Sequence, residues 1–231
     1  MKNSIVLSLM VLLVASTYGQ RNVEQHFKSA KNQEIKLDFK FADTINVFQW
    51  DRQEIKVNAT VQIDNGEGNN AYTLKSEEST NEVFISSDFG DYFERKDKSE
   101  THCNNSKIKI AYTVYVPKGC TLKVKSITGN VFIETFSGTL ETDLIAGNVA
   151  LKHYNGELSL KTVSGDLDVT MKNAEIDAKT LMGTIYSDLD IEIPENEKSL
   201  SGNNRILGSV DTNGKKVKLE TVTGDIFMRK G

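Results

Sequence analysis

Apolar and polar residues alternate along most of the chain after residue 33, and from Gly129 onward the alternation follows a glycine that returns every nine residues. The glycines, with Ala174 at the one position where the series lacks one, are Gly129, Gly138, Gly147, Gly156, Gly165 and Gly183. Two positions after each stands an aliphatic residue: Val131, Leu140, Val149, Leu158, Leu167, Ile176 and Ile185. Alternation with a period of two places every second side chain on one face of a strand. Because glycine suits sharp turns with positive φ, the pattern predicts short strands that turn at each glycine and direct the aliphatic column into a core.

A longer repeat of about eighteen residues contains two of these units. Five segments share an aliphatic residue two positions before the glycine: Ile127–Val131, Ile145–Val149, Val163–Leu167, Leu181–Ile185 and Val222–Ile226. The intervening units carry Phe136, Tyr154 and Lys172 at that position. Repeats of fixed period are typical of chains in which each unit stacks on its neighbour. The sequence thus predicts an all-β fold, a parallel β-solenoid (β-helix) with about 18 residues per coil, each coil made of two 9-residue half-coils with glycine turns.

Residues 34–125 are also rich in alternating segments but lack the glycine period. The strands predicted there lie near 35–41, 55–63 and 108–116, with a turn at 64–70 and a long polar loop at 87–105. No helix of ordinary length is predicted. These strands form either the irregular first coils of the same solenoid or a small sandwich on its end. The predicted domains are 20–125, an irregular strand-rich part, and 126–231, the regular repeats. The regularity loosens after residue 190, and the last strand is expected to have an exposed edge.

The first nineteen residues have the organisation of a signal peptide. Lys2 precedes the apolar run Ile5–Ala15, which is too short to span a bilayer, and small residues lead to a cleavage position after Gly19. We therefore expect export to the periplasm, the cell surface or the extracellular space. No other run is apolar enough to cross a membrane. The net charge of −4 and the interspersed charges disfavour nucleic acid as a partner.

Residues 112–131 carry a resemblance to a known family. Tyr112-Thr-Val-Tyr-Val-Pro-Lys-Gly119 and then Leu122-Lys-Val-Lys-Ser126 run directly into the first glycine unit. The chain resembles the bacterial putative-adhesin family of β-strand-repeat proteins over roughly 34–231, most closely over 108–189. The resemblance implies an exported parallel β-solenoid associated with the cell envelope, with no established catalytic residues and an undefined molecular function.

The chemistry-bearing residues are few. Cys103 and Cys120 are the only cysteines, and an oxidising compartment permits a disulfide between them. Whether they pair is left open, because the strand predicted between them separates them. The histidines, His26, His102 and His153, have no metal-site spacing, and the single glycine per turn is unlike a calcium-binding repeat. We expect no catalytic residue, no metal and no cofactor.

Two features remain as candidate sites. Asp166 with Asp168, and Asp188 with Asp190, are outward carboxylate pairs that a glycosidase could use. Opposite charges eighteen residues apart, Glu134 with Lys152 and Asp143 with Lys161, indicate solvated charge rows instead. Phe136, Tyr154 and Lys172 form either a binding strip or, for the two aromatic residues, filling for the core.

The favoured function is a non-catalytic adhesin-like binding or scaffolding protein of the envelope. The alternatives are self-assembly through an exposed C-terminal coil and, less favoured, a carbohydrate-active enzyme. The partner is unknown; a glycan, an envelope protein or a second copy of the chain are candidates.

Overall fold

The alternating segments form strands in a computed structural model that describes residues 19–31, 33–99, 106–194, 204–211 and 213–231. The strands before residue 120 are β1 (Arg21–Lys28), β2 (Glu34–Asp38), β3 (Phe41–Trp50), β4 (Glu54–Ile63), β5 (Thr73–Glu78), β6 (Glu82–Asp88) and β7 (Ile108–Pro117). A short helix, α1 (Tyr92–Ser99), lies in the segment that was predicted to be a loop. Except for Gly19, the predicted signal peptide lies outside the described residues.

The glycine-spaced half contributes the remaining strands. They are β8 (Thr121–Ser137), β9 (Thr139–Ala146), β10 (Val149–Asn155), β11 (Leu158–Ser164), β12 (Leu167–Met171), β13 (Ala174–Thr180), β14 (Ile185–Ser187), β15 (Arg205–Val210), β16 (Lys215–Thr223) and β17 (Ile226–Lys230). The fold is therefore all-β, as predicted, and every strand of the described residues belongs to one hydrogen-bonded sheet.

The strands lie in two rows that meet at β8. The first row has the order β5-β6-β2-β8-β9-β11-β16-β13-β15. The second row has the order β1-β4-β7-β3-β8-β10-β12-β17-β14. Pairing is parallel in the interior of each row and antiparallel only toward its ends, at β5, β1, β4 and β15.

In the middle of both rows, residues eighteen apart in the sequence are neighbours in space. Val149 pairs with Val131 on one side and with Leu167 on the other, and Leu158 pairs with Leu140. The backbone N–H of Asn148 donates to the side chain of Asn130, across the same separation of 18 residues.

The order of the strands departs from the order of the sequence at both ends. β2 and β3 lie between the later pair β6 and β7 on one side and β8 on the other. The last pair, β16 and β17, lies between β11–β12 and the earlier β13–β14. The expectation of an exposed C-terminal strand edge is therefore wrong, because β16 and β17 are hydrogen-bonded on both sides. The row ends near the C-terminus are β15 and β14 instead.

One hydrophobic cluster contains the inward side chains of both rows. The predicted aliphatic column is buried from Val131 to Ile176, and Ile185 is packed against the cluster. Large aromatic side chains fill the N-terminal part, where the rings of Phe39 and Tyr112 stack with centroids 4.0 Å apart. Apolar burial of this extent is the main stabilising contribution to such a fold.

Candidate binding surfaces

The glycine turns bring the backbones of successive strand pairs into direct contact. A Cβ atom at Gly147 would lie 2.0 Å from the carbonyl oxygen of Gly129, and one at Gly165 would lie 2.1 Å from that of Gly147. The same contact joins Gly224 to Gly165, at 2.0 Å. Glycine therefore recurs because any side chain would collide with backbone, in addition to the positive φ of most of these turns.

A row of Asn and Asp side chains connects the residues that follow these glycines. Asn130 accepts from the N–H of Asn148, which accepts from that of Asp166; the side chain of Asp166 accepts from Asp225, and that of Asp225 from Thr184. The distances are 2.8–3.0 Å. These hydrogen bonds hold successive turns in register.

A row of buried threonines was not recognised in the sequence. The hydroxyls of Thr162, Thr221 and Thr180 donate to the carbonyl oxygens of Gly147, Gly165 and Gly224, at 3.0, 3.0 and 2.9 Å. All three side chains are buried. A buried hydroxyl is tolerated when it is hydrogen-bonded, so these threonines fasten each glycine turn to the strand before the next turn.

The aliphatic residues two positions before the glycines form an exposed row rather than a part of the core. Flanking pairs place Ile127, Ile145, Val163 and Val222 side by side on successive strands, and Met182 N donates to Val222 O, which brings Leu181 to the end of the row. Ile145 is 55% exposed and Leu181 is 62% exposed. Each directly follows an inward side chain of its own strand, as Ile145 follows buried Leu144 and Val163 follows buried Thr162, so strand alternation directs it outward. We call these five residues the aliphatic row.

Charged side chains form bridges across neighbouring strands on the outer face of the first row. Lys123 Nζ lies 2.9 Å from a carboxylate oxygen of Glu34 and 3.2 Å from one of Glu141. Lys161 is paired with Asp143 in the strand register, and Lys152 Nζ lies 3.7 Å from Glu134 in the second row. Exposed pairs of this kind contribute little to stability, but they confirm the solvated charge rows that the sequence predicts.

The four aspartates considered for catalysis make structural contacts. Arg229 donates to both carboxylate oxygens of Asp168, at 2.6 and 2.8 Å, and Asp166 belongs to the row that connects the turns. Asp188 accepts from the backbone N–H of Lys230, at 2.5 Å, and Lys230 Nζ lies 3.3 Å from Asp190. Each carboxylate thus has a partner that accounts for its position.

The structure separates the predicted strip of Phe136, Tyr154 and Lys172. Phe136 is only 1% exposed, so of the two interpretations the filling of the core applies to it, and it does not belong to a surface strip. Tyr154 pairs with Phe136 in the strand register and packs partly against the core. Burial raises the pKa of the Tyr154 phenol to about 12. Tyr154 and Lys172 line an open depression of about 440 Å³ together with Lys152, His153 and Lys215.

An aromatic group lies on the outer face of the second row. Tyr115 lies between Phe48 and Trp50, with centroid distances of 5.4 and 5.2 Å. The guanidinium of Arg52 lies over the Trp50 ring at 5.1 Å. The Phe48 side chain is 41% exposed, so part of this group is open to solvent.

Cys120 is buried, and burial raises the pKa of its thiol to about 11. Cys103 and His102 lie outside the described residues, so the disulfide stays a prediction. Among the described residues, no three His, Cys, Asp or Glu side chains converge as metal ligands would.

Within the described ranges, no helix has both the length and the apolar character needed to cross a membrane.

Comparisons with known proteins agree with this architecture. Residues 120–229 match the family model described as Toastrack DUF4097. No curated protein matches the chain. Among solved structures, a putative cell adhesion protein from Clostridium sporogenes is similar over 92% of this chain and 100% of its own, with a TM-score of 0.61 and 13% sequence identity.

Two further structures are similar at a lower level. A putative adhesin from Bacteroides fragilis has 14% identity over 91% of this chain and 97% of its own, with a TM-score of 0.28. One from Parabacteroides distasonis has 10% identity over 93% and 98%, with a TM-score of 0.27. These TM-scores are too low to indicate a shared fold. The chain thus has the fold of the Clostridium sporogenes protein, and the match over residues 120–229 supports its resemblance to adhesin-like proteins of undefined function.

Proposed function

We propose that this protein is a non-catalytic, exported β-solenoid that binds or scaffolds other components of a bacterial cell envelope. The observation that carries the proposal is the aliphatic row, four exposed side chains and the half-buried Val222 on stacked strands about 4.8 Å apart. Rows of equivalent side chains at fixed spacing suit weak, multivalent contact with a repetitive ligand. The ligand is a glycan or an envelope protein.

The parallel register supports the solenoid. Each eighteen-residue unit supplies one strand to each row, and Gly147 and Gly156 mark the two turns of one coil of two 9-residue half-coils. The description of the Clostridium sporogenes neighbour as a cell adhesion protein is in keeping with binding. The structural contacts of the four aspartates favour binding over glycan cleavage.

Residues 1–19 act as the export signal in this proposal, followed by the irregular part 20–125 and the repeats 126–231. Protease treatment of intact cells, followed by fractionation, tests the location. Loss of the protein from intact cells places it on the surface, where it can act as an adhesin. Protection until the envelope is opened supports a periplasmic scaffold. Recovery in the cytoplasm would contradict export.

Binding is tested with the purified chain immobilised on beads and offered envelope polysaccharides and, separately, solubilised envelope proteins. The variant Ile145→Ser with Val163→Ser removes the centre of the aliphatic row, whereas Glu134→Ser with Lys152→Ser changes a charged pair on the other row of strands. We expect the first variant to lose binding and the second to retain it. Equal binding by both variants would contradict the assignment of the surface.

A further inference from the structure

The last two strands occupy a space that the rest of the chain leaves open. β11–β12 and β13–β14 are consecutive in the sequence, yet they do not pair with each other, because β16 and β17 lie between them. We call this space the C-terminal slot and residues 215–230 the inserted segment. Without that segment, each of the four strands β11, β12, β13 and β14 would lose one hydrogen-bonded neighbour. Extended chains add to a sheet at strand edges that are unpaired in this way.

The inserted segment fits the slot through both its side chains and its backbone. Val217, Leu219, Ile226 and Met228 are buried in the core. Thr221 donates to the carbonyl oxygen of Gly165 on one side of the slot. Asp225 connects both sides, because its N–H donates to Asp166 and its carboxylate accepts from Thr184. The slot thus recognises a segment with this sequence and register.

The connection that enters the slot is short and strained. Val210 and Lys215 pair with Ala174 from its two sides, so only four residues join β15 to β16 across β13. Asp211 and Asn213 have φ values of 65° and 67°, a region that costs energy in residues other than glycine, although Asp and Asn adopt it more readily than most. A Cβ atom at Gly214 would lie 2.5 Å from the backbone of Ala174. Extending this connection relieves the strain, and strained short connections favour exchange of the element that they join.

We propose that the partner of the C-terminal slot is a second copy of this chain, whose inserted segment takes the place of the chain's own in a strand-exchanged dimer. Every contact of the slot is kept in the dimer, since the donated segment is identical. Only the connection at Asp211–Gly214 changes its course. This interaction requires no envelope ligand, and the donated segment carries its own Val222 to the same place in the aliphatic row.

Cross-linking between two full-length variants tests the exchange. Ser159 on β11 pairs with Lys218 on β16, and both side chains reach the surface. Ser159→Cys and Lys218→Cys, each with Cys103→Ala, are unfolded, mixed, refolded and treated with a short bis-maleimide. We expect covalent dimers that contain one copy of each variant. At low dimer fraction, the dimer-to-monomer ratio before cross-linking rises roughly tenfold for a tenfold increase in protein concentration, by mass action.

The matched control replaces Lys218→Cys with Glu141→Cys. Glu141 pairs with Ser159 from the opposite side, on β9, which does not belong to the inserted segment. This mixture should give no dimer above the background of single variants. A chain that carries both Ser159→Cys and Lys218→Cys shows that the reagent spans the pair. If that chain closes internally while the mixture with Lys218→Cys gives no more dimer than the control, the proposal is overturned.

Discussion

In the N-terminal strands β1–β7, large aromatic side chains add to an aliphatic core, whereas in the glycine-spaced strands β8–β17 repeated columns of smaller side chains form most of it. In the first region Tyr112 stacks on Phe39 and contacts Tyr72, which packs against Phe89. In the second, Val, Leu, Ile and Thr side chains repeat from strand to strand, and the turns touch through glycine backbones. In the repeated region every turn contacts the next one closely, so a side chain cannot be added there. In the region of unlike residues, a turn can have free space beside it.

The two regions also share a feature. In each, a strand pair lies out of sequence order, β2–β3 in the first and β16–β17 in the second. In the glycine-spaced region the displaced pair fits between its neighbours because it carries the same motif: Val222–Ile226 has the same pattern as Val163–Leu167. In the N-terminal region the displaced pair lies between β6–β7 and β8, and the antiparallel strands β5 and β4 lie beyond β6 and β7.

The prediction with the largest expected effect is that the two regions unfold separately. Leu167 is fully buried between Val149 and Ile226, so Leu167→Asp places an unpaired charge in the core and should cost more than about 4 kcal/mol. Because coupling in a stack passes through neighbours, the repeat strands should unfold while the N-terminal region stays folded. Circular dichroism reports the whole chain, and the emission of Trp50, the single tryptophan, reports the N-terminal region.

The matched control is Thr170→Asp, at an outward position of the same strand, which should change the free energy of unfolding by less than about 0.5 kcal/mol. If Leu167→Asp shifted the dichroism and Trp50 transitions together, the two regions would form one cooperative unit and the comparison would fail.

The next prediction compares glycines. Gly147→Ala brings a Cβ atom onto the Gly129 carbonyl, and since neither backbone can move freely, we expect a loss of about 3 kcal/mol or more. Gly119, in the turn before β8, has φ +72° and no atom within 4 Å of its added Cβ. Gly119→Ala should therefore lower the free energy of unfolding by about 1 kcal/mol, the cost of a positive φ in alanine alone. Urea unfolding measures both, and equal losses would show that φ alone explains the glycine period.

These glycines also mark how far the sequence predicts the fold. The period of nine and the alternation around Leu158 and Leu167 depend on local geometry, and the inward column follows from them. The position of β16–β17 does not, because the motif at Gly224 fits any place in the stack equally well. The aliphatic row follows from the same alternation, because Ile145 and Val163 come directly after the inward residues Leu144 and Thr162 and therefore point outward although they are apolar. The binding ligand leaves no local pattern in the residues.

The threonine row gives a smaller effect within the glycine-spaced region. Thr162→Val keeps the shape of the side chain and removes its hydrogen bond to the Gly147 carbonyl, which should cost about 1–2 kcal/mol. Thr135→Val, at an exposed position, serves as the control and should be nearly neutral. Chemical unfolding measures both. A neutral Thr162→Val would mean that the glycine turns hold their position without the threonine row.

The smallest effect belongs to the outermost strand of the N-terminal region. His26 on β1 lies 3.1 Å from Glu24 and 2.6 Å from Glu54, and hydrogen bonds to these carboxylates, that of Glu24 first, raise its pKa above 6.5. A raised pKa in the folded state means that the stabilisation is fully present below the unfolded value and is lost as pH rises through the folded value. His26→Gln should thus melt at a slightly lower temperature than the native chain at about pH 5, and at the same temperature at about pH 8.5. High salt should reduce the difference, because the group is exposed. Since β1 pairs only with β4 within the described residues, a difference of the same size at both pH values would mean that the histidine acts through strand packing rather than through its charge.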